Sequence, residues 1–359
     1  MERSILHMHL ISGIGPATIM YLYNALAGDV SSIYWYTEND VQRLGIRKHT
    51  AQALVSGLRE TRALYNELRL LEQYNISCVT IHDAAYPRYV RAITTPPPVL
   101  YYYGGDITQL DNSVAIVGSR KSGSYARSVV NQIVPSLVEH GYTLVSGGAY
   151  GADTLVHKHT LTAGGKTAAI LGSGLLCPYP ARNKRLFDEI AASGGLVVSP
   201  FALREQAQAY HFPTRNRIIA GASKGVIVVQ AARKSGTRIT AAYALEEGRE
   251  VGAVPGPITD PLSEGVHSLL QNGAYPITSA YDVIALCDGD SAVQHTLETA
   301  EESNVATEDP VVRACIQPHS FDALLAQTGL SFHDLQTRLL QLQMSGKIAQ
   351  DVSGCWYTC

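Results

Sequence analysis

The fold is decided by the stretch Val114–Arg120, which reads VAIVGSR. Four apolar residues, enough for a short strand, run directly into a glycine, a serine and a base. Further apolar runs of this kind follow, separated by helix-length segments. These runs are Thr143–Val145, Thr167–Leu171, Leu196–Val198, Val226–Val229 and Val251–Val254. Apolar strands that alternate with helices indicate a parallel sheet covered on both faces. The sequence therefore predicts an α/β fold with a Rossmann-like, doubly wound, mostly parallel sheet.

Small residues follow three of the predicted strands. They are Gly118 and Ser119, then Gly147 and Gly148, then Ser173 and Gly174. The carboxyl ends of parallel strands meet at one edge of a sheet, and glycine lets the backbone approach a ligand closely. The unpaired amides and the dipole at the start of each following helix favour an anion. The sequence therefore predicts a phosphate-binding rim at this edge.

Positive charge and an aromatic ring join this predicted rim. The basic candidates are Arg120, Arg182, Lys184, Arg215 and Arg217, and the run FPTRNR places Phe212 and Asn216 among them. Guanidinium groups suit phosphate oxygens, and an aromatic ring beside a basic groove can stack an unpaired base. Two structural alternatives stay open. Phe212 would be a buried anchor for its helix instead of a stacking ring, and Arg217 would form a salt bridge instead of binding phosphate.

The chain divides into five predicted segments. They are a helical domain like a SAM or helix-hairpin-helix domain (1–85), a connector rich in proline and tyrosine (86–112), the Rossmann-like domain with the predicted rim (113–287), an acidic linker (288–309) and a winged-helix domain (310–359). In the first segment the turn Ile11–Ala17 precedes a helix, so its amides either hold a DNA phosphate or only join two helices. The last segment offers few bases, which favours packing or partner binding over base readout.

Composition excludes several classes of protein. No apolar run reaches the roughly 18 residues of a membrane span, and no signal peptide is expected, so a cytoplasmic protein is predicted. The six cysteines form no zinc spacing and are expected to be free thiols. The net charge of −3 hides sixteen bases against twelve acids in residues 111–287 and seven acids without a base in residues 288–309. A basic middle segment points to an anionic ligand.

Catalytic signals are weak. The sequence has no dinucleotide fingerprint and no Walker motif, so NAD binding and P-loop ATP hydrolysis are poorly supported. Asp153 is interpreted as an acid in the first turn of a helix, and the spacing of His157 and His159 does not suit a shared metal. We therefore expect no enzyme, cofactor or metal. The alternative is an enzyme that uses the same rim to bind a nucleotide or nucleotide sugar.

At six motifs the chain resembles the DNA-processing protein A (DprA/Smf) family. They are Val114–Arg120, Val145–Asp153, the segment Leu171–Leu175 with Tyr179-Pro180, Phe212–Gly221, Ser235–Ala241, and Ala253–Gly256 with Asn272–Ala274. All six occur in order within residues 113–280. The flanking helical and winged-helix segments also suit the family, more loosely.

The resemblance implies a function and site residues. It implies a Rossmann-like core that binds single-stranded DNA without base preference, displaces single-strand-binding protein, loads the recombinase RecA during natural transformation and forms homodimers. Carried onto this chain, the binding residues are Arg120, Ser173, Gly174, Phe212, Arg215, Asn216 and Arg217, with Arg182 or Lys184 as the base after Tyr179-Pro180. In one loop Tyr150 stands near the position where the family usually has a base, which is expected to alter the affinity for DNA.

Overall fold

The computed structural model describes residues 2–289, 309–315, 319–344, 347–350 and 354–358. They belong to two compact units, residues 1–289 and residues 290–359. No helix within the described ranges has the length and apolar character that a membrane crossing requires.

Short helices form the first part of the larger unit. They are α1 (Arg3–His9), α2 (Pro16–Ala25), α3 (Glu38–Arg43), α4 (Lys48–Arg59) and α5 (Arg62–Gln73), with a 3₁₀ helix over Val30–Trp35. Local signals set two of the starts. Pro16 lies in the first turn of α2, where a missing N–H costs nothing, and Thr37 and Asp40 form a reciprocal capping box at α3. The comparison of this region with SAM or helix-hairpin-helix domains stays a prediction.

A nine-stranded sheet forms the centre of the larger unit. Its strands are β1 (Ser77–Thr80), β2 (Val99–Gly104), β3 (Ser113–Val117), β4 (Thr143–Ser146), β5 (Thr167–Ile170), β6 (Leu196–Ser199), β7 (Gly225–Val228), β8 (Glu250–Ala253) and β9 (Tyr275–Pro276). The strands β3 to β9 are parallel, and every residue of β3 to β7 is buried. This confirms the mostly parallel sheet, whose covered faces explain the continuous apolar runs.

Helices lie between these strands or follow the last of them. They are α6 (Arg88–Arg91), α7 (Ser124–Glu139), α8 (Ala152–Thr162), α9 (Lys184–Ala192), α10 (His211–Ala222), α11 (Gly236–Glu246), α12 (Glu264–Gln271) and α13 (Ala280–Asp288). Through α7, α8 and α9 the chain steps outward from β3 to β6, and α10 then returns it to β7 on the other side of β3. With right-handed crossovers, the direction reverses between β3 and β7. This is the topological switch point, where a crevice opens beyond the carboxyl ends of the strands.

The prediction of a connector over residues 86–112 was wrong in part. The strand β2 lies within this range and pairs antiparallel with β1 on one side and with β6 on the other. Three prolines, Pro96, Pro97 and Pro98, argue against a central strand, but the strand begins only at Val99, after the last of them. The sheet therefore starts well before residue 113, and its hydrophobic core is continuous with that of the N-terminal helices.

The smaller unit contains three helices and a hairpin in its described residues. They are α14 (Pro310–Ala314), α15 (Phe321–Thr328), α16 (Phe332–Met344) and the antiparallel pair β10 (Ile348–Gln350) and β11 (Trp356–Thr358). Leu324, Leu335, Leu339 and Ile348 pack in its core. The assignment of residues 310–359 as a winged-helix domain stays a prediction. The predicted acidic linker lies outside the described residues over 290–308.

Candidate nucleic-acid interface

A cleft with a volume of about 550 Å³ opens at the switch point between β3 and β7. The loops after these two strands and the first turns of α10 and α11 form its walls. We call it the switch-point cleft; its main lining residues are Gly118, Ser119, Arg120, Lys121, Phe212, Asn216, Lys234, Ser235 and Thr237. The side chain of Ser235 caps α11 by accepting from the Thr237 amide at 3.2 Å. The positive end of that helix therefore faces the cleft.

Three exposed cations line the switch-point cleft. Arg120, Lys121 and Lys234 form no ion pair with any residue that the structure describes. By contrast, the Lys224 ammonium, just before β7, lies 2.6 Å from a carboxylate oxygen of Asp288. Positive charge that no acid offsets gives the cleft a potential that attracts anions.

Aromatic rings lie next to this charge. Phe212 is half-buried, with the Arg120 guanidinium 5.6 Å from its ring centre and the Tyr179 ring edge-on at 5.7 Å. Tyr150 and Tyr179 are 43% and 47% exposed, and both line a small pocket that adjoins the cleft together with Arg120 and Phe212. The two alternatives for Phe212 are thus combined, because its ring is anchored against Gly172 and still borders the pocket.

Arg215 lies under the cleft and supports its floor. Its side chain is buried and donates to the carbonyl oxygens of Gly147 and, at 3.0 Å, of Ile170. Burial lowers the pKa of Arg215 to about 10, so the group stays charged at neutral pH. Burial raises the pKa of the neighbouring Asp153, and the Arg215 charge opposes that shift. Its Nε also donates to the Asn216 side-chain oxygen at 3.0 Å, so we expect Arg215 to support the cleft and not to bind phosphate directly.

The glycines of the second loop are required by packing. A Cβ on Gly147 would come within 2.1 Å of the Arg215 guanidinium, and one on Gly148 would lie 2.7 Å from the Phe187 ring. Gly148 also has a φ of +66°, which favours glycine. Both residues are buried, and the Asp153 carboxylate accepts from the Ala149 amide at 3.1 Å. Close approach to Arg215 and Phe187 thus explains both glycines, and their contact with phosphate stays a prediction.

Arg217 is turned away from the cleft. Its guanidinium forms ion pairs with Glu247 at 2.7 Å and with Glu246 at 3.0 Å, and it lies 4.4 Å from the centre of the Tyr243 ring. The salt-bridge alternative thus describes Arg217 in this structure, and its role as a phosphate ligand stays a prediction. The partner acids are 29 and 30 residues further along the chain, so no local pattern reveals the pairing.

Four other predicted site residues lie outside the cleft. Ser173 and Gly174 are fully buried, and the Ser173 hydroxyl accepts from the Tyr179 amide at 3.1 Å. Ser173 thus supports the exposed Tyr179. Lys184 pairs with Asp188 on its own helix at 2.9 Å, and Arg182 is exposed but does not line the switch-point cleft. The structure therefore unites Arg120, Asn216 and Phe212 and leaves Arg182 and Lys184 aside.

Sequence reasoning missed four residues that line the switch-point cleft, three of them at the start of α11 and in the loop before it. Lys121, Lys234, Ser235 and Thr237 were not among the predicted site residues. A signal was present, because residues 229–237 also pass from a strand through a polar loop with a glycine into a helix. The Thr237 hydroxyl donates to the Gly118 carbonyl at 3.1 Å, which ties this loop to the one after β3.

Comparison with known proteins identifies the family of this chain. The model of the family described as DNA recombination-mediator protein A matches residues 77–288, beginning at β1. This chain belongs to that family. Protein Smf of Escherichia coli (strain K12) is 34% identical over 316 residues, which cover 86% of this chain and 84% of that protein. DNA processing protein DprA of Streptococcus pneumoniae is 44% identical over 207 residues, 57% of this chain and 72% of that protein. The resemblance inferred from six motifs is confirmed.

Two solved structures of the family are similar to this chain. The X-ray structure of DNA processing protein A from Streptococcus pneumoniae has a TM-score of 0.70 at 34% identity, covering 80% of this chain and 99% of that one. A structure of DNA processing protein A from Helicobacter pylori has a TM-score of 0.52 at 26% identity, covering 64% of this chain and 96% of that one. The second was described for its unique mode of binding single-stranded DNA.

Proposed function

We propose that this chain is a recombination mediator that binds single-stranded DNA in the switch-point cleft. It protects incoming DNA and loads RecA onto it in the cytoplasm during natural transformation. Membership of the DNA recombination-mediator protein A family and the likeness to a relative that binds single-stranded DNA support this proposal. RecA loading and homodimerisation rest on the family resemblance.

One observation carries the proposal: cations without an ion pair among the described residues line the cleft, and accessible aromatic rings border the cleft and the small pocket that adjoins it. Arg120, Lys121 and Lys234 offer charge to a sugar-phosphate chain. Phe212 and Tyr150 lie beside Arg120 and offer faces to unpaired bases. Phosphate contacts and stacking both tolerate any sequence, which suits a protein that must coat DNA of any origin.

A role without catalytic turnover is part of the proposal. The acid nearest the cleft, Asp153, is buried against Arg215 and bonded to the Ala149 amide. The His157 ring is fully buried, with Nδ1 2.7 Å from the Thr167 hydroxyl, and burial lowers its pKa to about 3. Asp153 borders the cleft but is held by these contacts, and His157 does not line the cleft. Family membership does not favour the nucleotide-binding enzyme.

The test compares binding of labelled oligo-dT with binding of a duplex of equal length. We expect the wild type to prefer the single strand, with log K falling with log salt by about 0.7 per phosphate contact. Arg120→Ala should raise Kd about tenfold or more for every sequence alike, because a charge-assisted bond is lost. Arg182→Ala is the matched control, since Arg182 is exposed outside the cleft.

Two results would contradict the proposal in different ways. If the wild type shows no affinity for oligo-dT but a large thermal shift with a mononucleotide, the enzyme alternative takes its place. If Arg182→Ala weakens binding as much as Arg120→Ala does, the function stands but the switch-point cleft is not the site. Light scattering of the full chain and a strand-exchange assay with RecA test the homodimer and the loading step.

A further inference from the structure

A second basic cleft lies between α7 and α8. It has a volume of about 650 Å³, and we call it the α7–α8 cleft. Arg127 of α7 and Lys158 and His159 of α8 contribute its bases. The residues that line it are all described by the structure, and none of them is acidic.

The positive charge in the α7–α8 cleft is not neutralised by the protein. The side chains of Arg127 and Lys158 are exposed and form no ion pair with any described residue. His159 is half-buried; burial lowers its pKa, and the neighbouring Arg127 charge lowers it further. On α9, by contrast, the exposed Lys184 pairs with Asp188. Like charges held together without an acid point to an anionic ligand.

The backbone adds to this potential. Gly123 and Ser124, at the start of the 16-residue helix α7, line the cleft, and no side chain caps that helix end. Its first-turn amides and helix dipole therefore contribute further positive character to the same space. The α7–α8 cleft thus combines side-chain cations with a helix N-terminus.

The two clefts lie on either side of one pair of packed loops. Arg120 and Lys121 line the switch-point cleft, and the next residues, Ser122 and Gly123, line the α7–α8 cleft. Because consecutive Cα atoms are about 3.8 Å apart, the backbone from Lys121 to Gly123 spans about 8 Å or less. The loop after β4 follows the same pattern. Tyr150 borders the small pocket that adjoins the switch-point cleft, and Gly151 lines the α7–α8 cleft. The Ala152 amide donates to the Ser119 carbonyl at 3.1 Å, which holds these loops together.

We propose that the α7–α8 cleft is a second phosphate subsite, which binds the backbone of single-stranded DNA where it leaves the switch-point cleft. The proposal rests on the proposed function. The bound DNA passes over the loop Ser119–Gly123. Arg120 and Lys121 contact it on the side of the switch-point cleft, and Arg127 and Lys158 contact it on the side of the α7–α8 cleft. The subsite lengthens the bound segment without adding base contacts, because its lining contains no aromatic side chain apart from the His159 ring.

The test is a length series with oligo-dT that carries a 5′-hydroxyl, about 6 and about 20 nucleotides long. The variants are Lys158→Gln and Arg127→Gln/Lys158→Gln. Lys166→Gln is the matched control. It makes the same change at an exposed lysine that donates to the Ser193 carbonyl and directly precedes β5, at the amino ends of the parallel strands and not at their carboxyl ends. For the long strand we expect the double variant to raise Kd about tenfold and to flatten the salt dependence by about 1.4 in log–log slope, the value for two phosphates. The short strand should bind within twofold of wild type.

Three outcomes would overturn the proposal. If the double variant binds both lengths as the wild type does, the subsite does not exist. If it loses affinity for both lengths equally, Arg127 and Lys158 act at the switch-point cleft. If the loss appears only with 5′-phosphorylated DNA, the cleft binds a terminal phosphate and not the passing backbone. Failure of the proposed function is a separate result, since wild type would then bind neither length.

Discussion

The clearest consequence of the structure concerns Arg215, which is predicted here to stabilise the protein and not to touch DNA. Arg215→Ala removes two hydrogen bonds to the Gly147 and Ile170 carbonyls and leaves the buried Asp153 without its counter-charge. Removing one partner of a buried, hydrogen-bonded charge costs about 3–5 kcal/mol. At roughly 2–4 °C per kcal/mol for a unit of this size, Tm should fall by about 10 °C.

Differential scanning fluorimetry of the full chain measures this effect. Arg120→Ala is the control, because Arg120 is exposed in the same cleft and should change Tm by no more than about 1–2 °C. Adding Asp153→Asn to Arg215→Ala should recover part of the loss, since asparagine is neutral and still accepts from the Ala149 amide. An unchanged Tm for Arg215→Ala, with DNA affinity lost, would refute this reasoning and restore Arg215 as a direct DNA ligand.

Three further predictions concern Phe212, Arg217 and His157. Phe212→Ala should weaken oligo-dT binding by about 1–3 kcal/mol, as measured by anisotropy, and Phe212→Tyr should retain most of the affinity; equal loss in both would argue against stacking. Arg217→Ala should lower Tm because it leaves the buried Glu247 unpaired, while Kd for oligo-dT stays within twofold; a larger rise in Kd would return Arg217 to the DNA site. Buried His157 has a folded pKa of about 3, so its contribution to stability is complete above the unfolded pKa of about 6.5 and is lost as pH falls. Between pH 7 and pH 5 this amounts to about 2 kcal/mol, and unfolding curves at the two pH values should differ less for His157→Gln; an identical pH dependence would exclude this role.

Much of the sheet could be predicted because its signals are local. Strands β3 to β8 lie in apolar runs, since strands covered on both faces exclude polar residues. Gly118 and Gly147 could be placed at strand ends because each follows directly on the end of such a strand. β2 was missed because three prolines precede it, and only pairing with β1 and β6 makes residues 99–104 a strand. That pairing depends on segments up to about a hundred residues away.

The candidate site was predicted in outline and corrected in detail. Arg120 and Phe212 were placed at the correct edge, because a residue that directly follows a parallel strand, or begins a helix at the switch point, has little choice of position. The roles of Arg215 and Arg217 could not be separated, although only one residue lies between them. One is buried against backbone carbonyls, and the other points to α11.

The sequence by itself determined the fold class, the family and the edge of the sheet at which the candidate site lies. These follow from the order of apolar runs, glycines and bases, which are properties of short segments. Only the tertiary structure decided which bases keep their charge available: Arg120, Lys121 and Lys234 remain unpaired among the described residues, whereas Arg217 is neutralised by Glu246 and Glu247. The physical reason is that a charge is cancelled by its neighbours in space, and those neighbours come from distant parts of the chain.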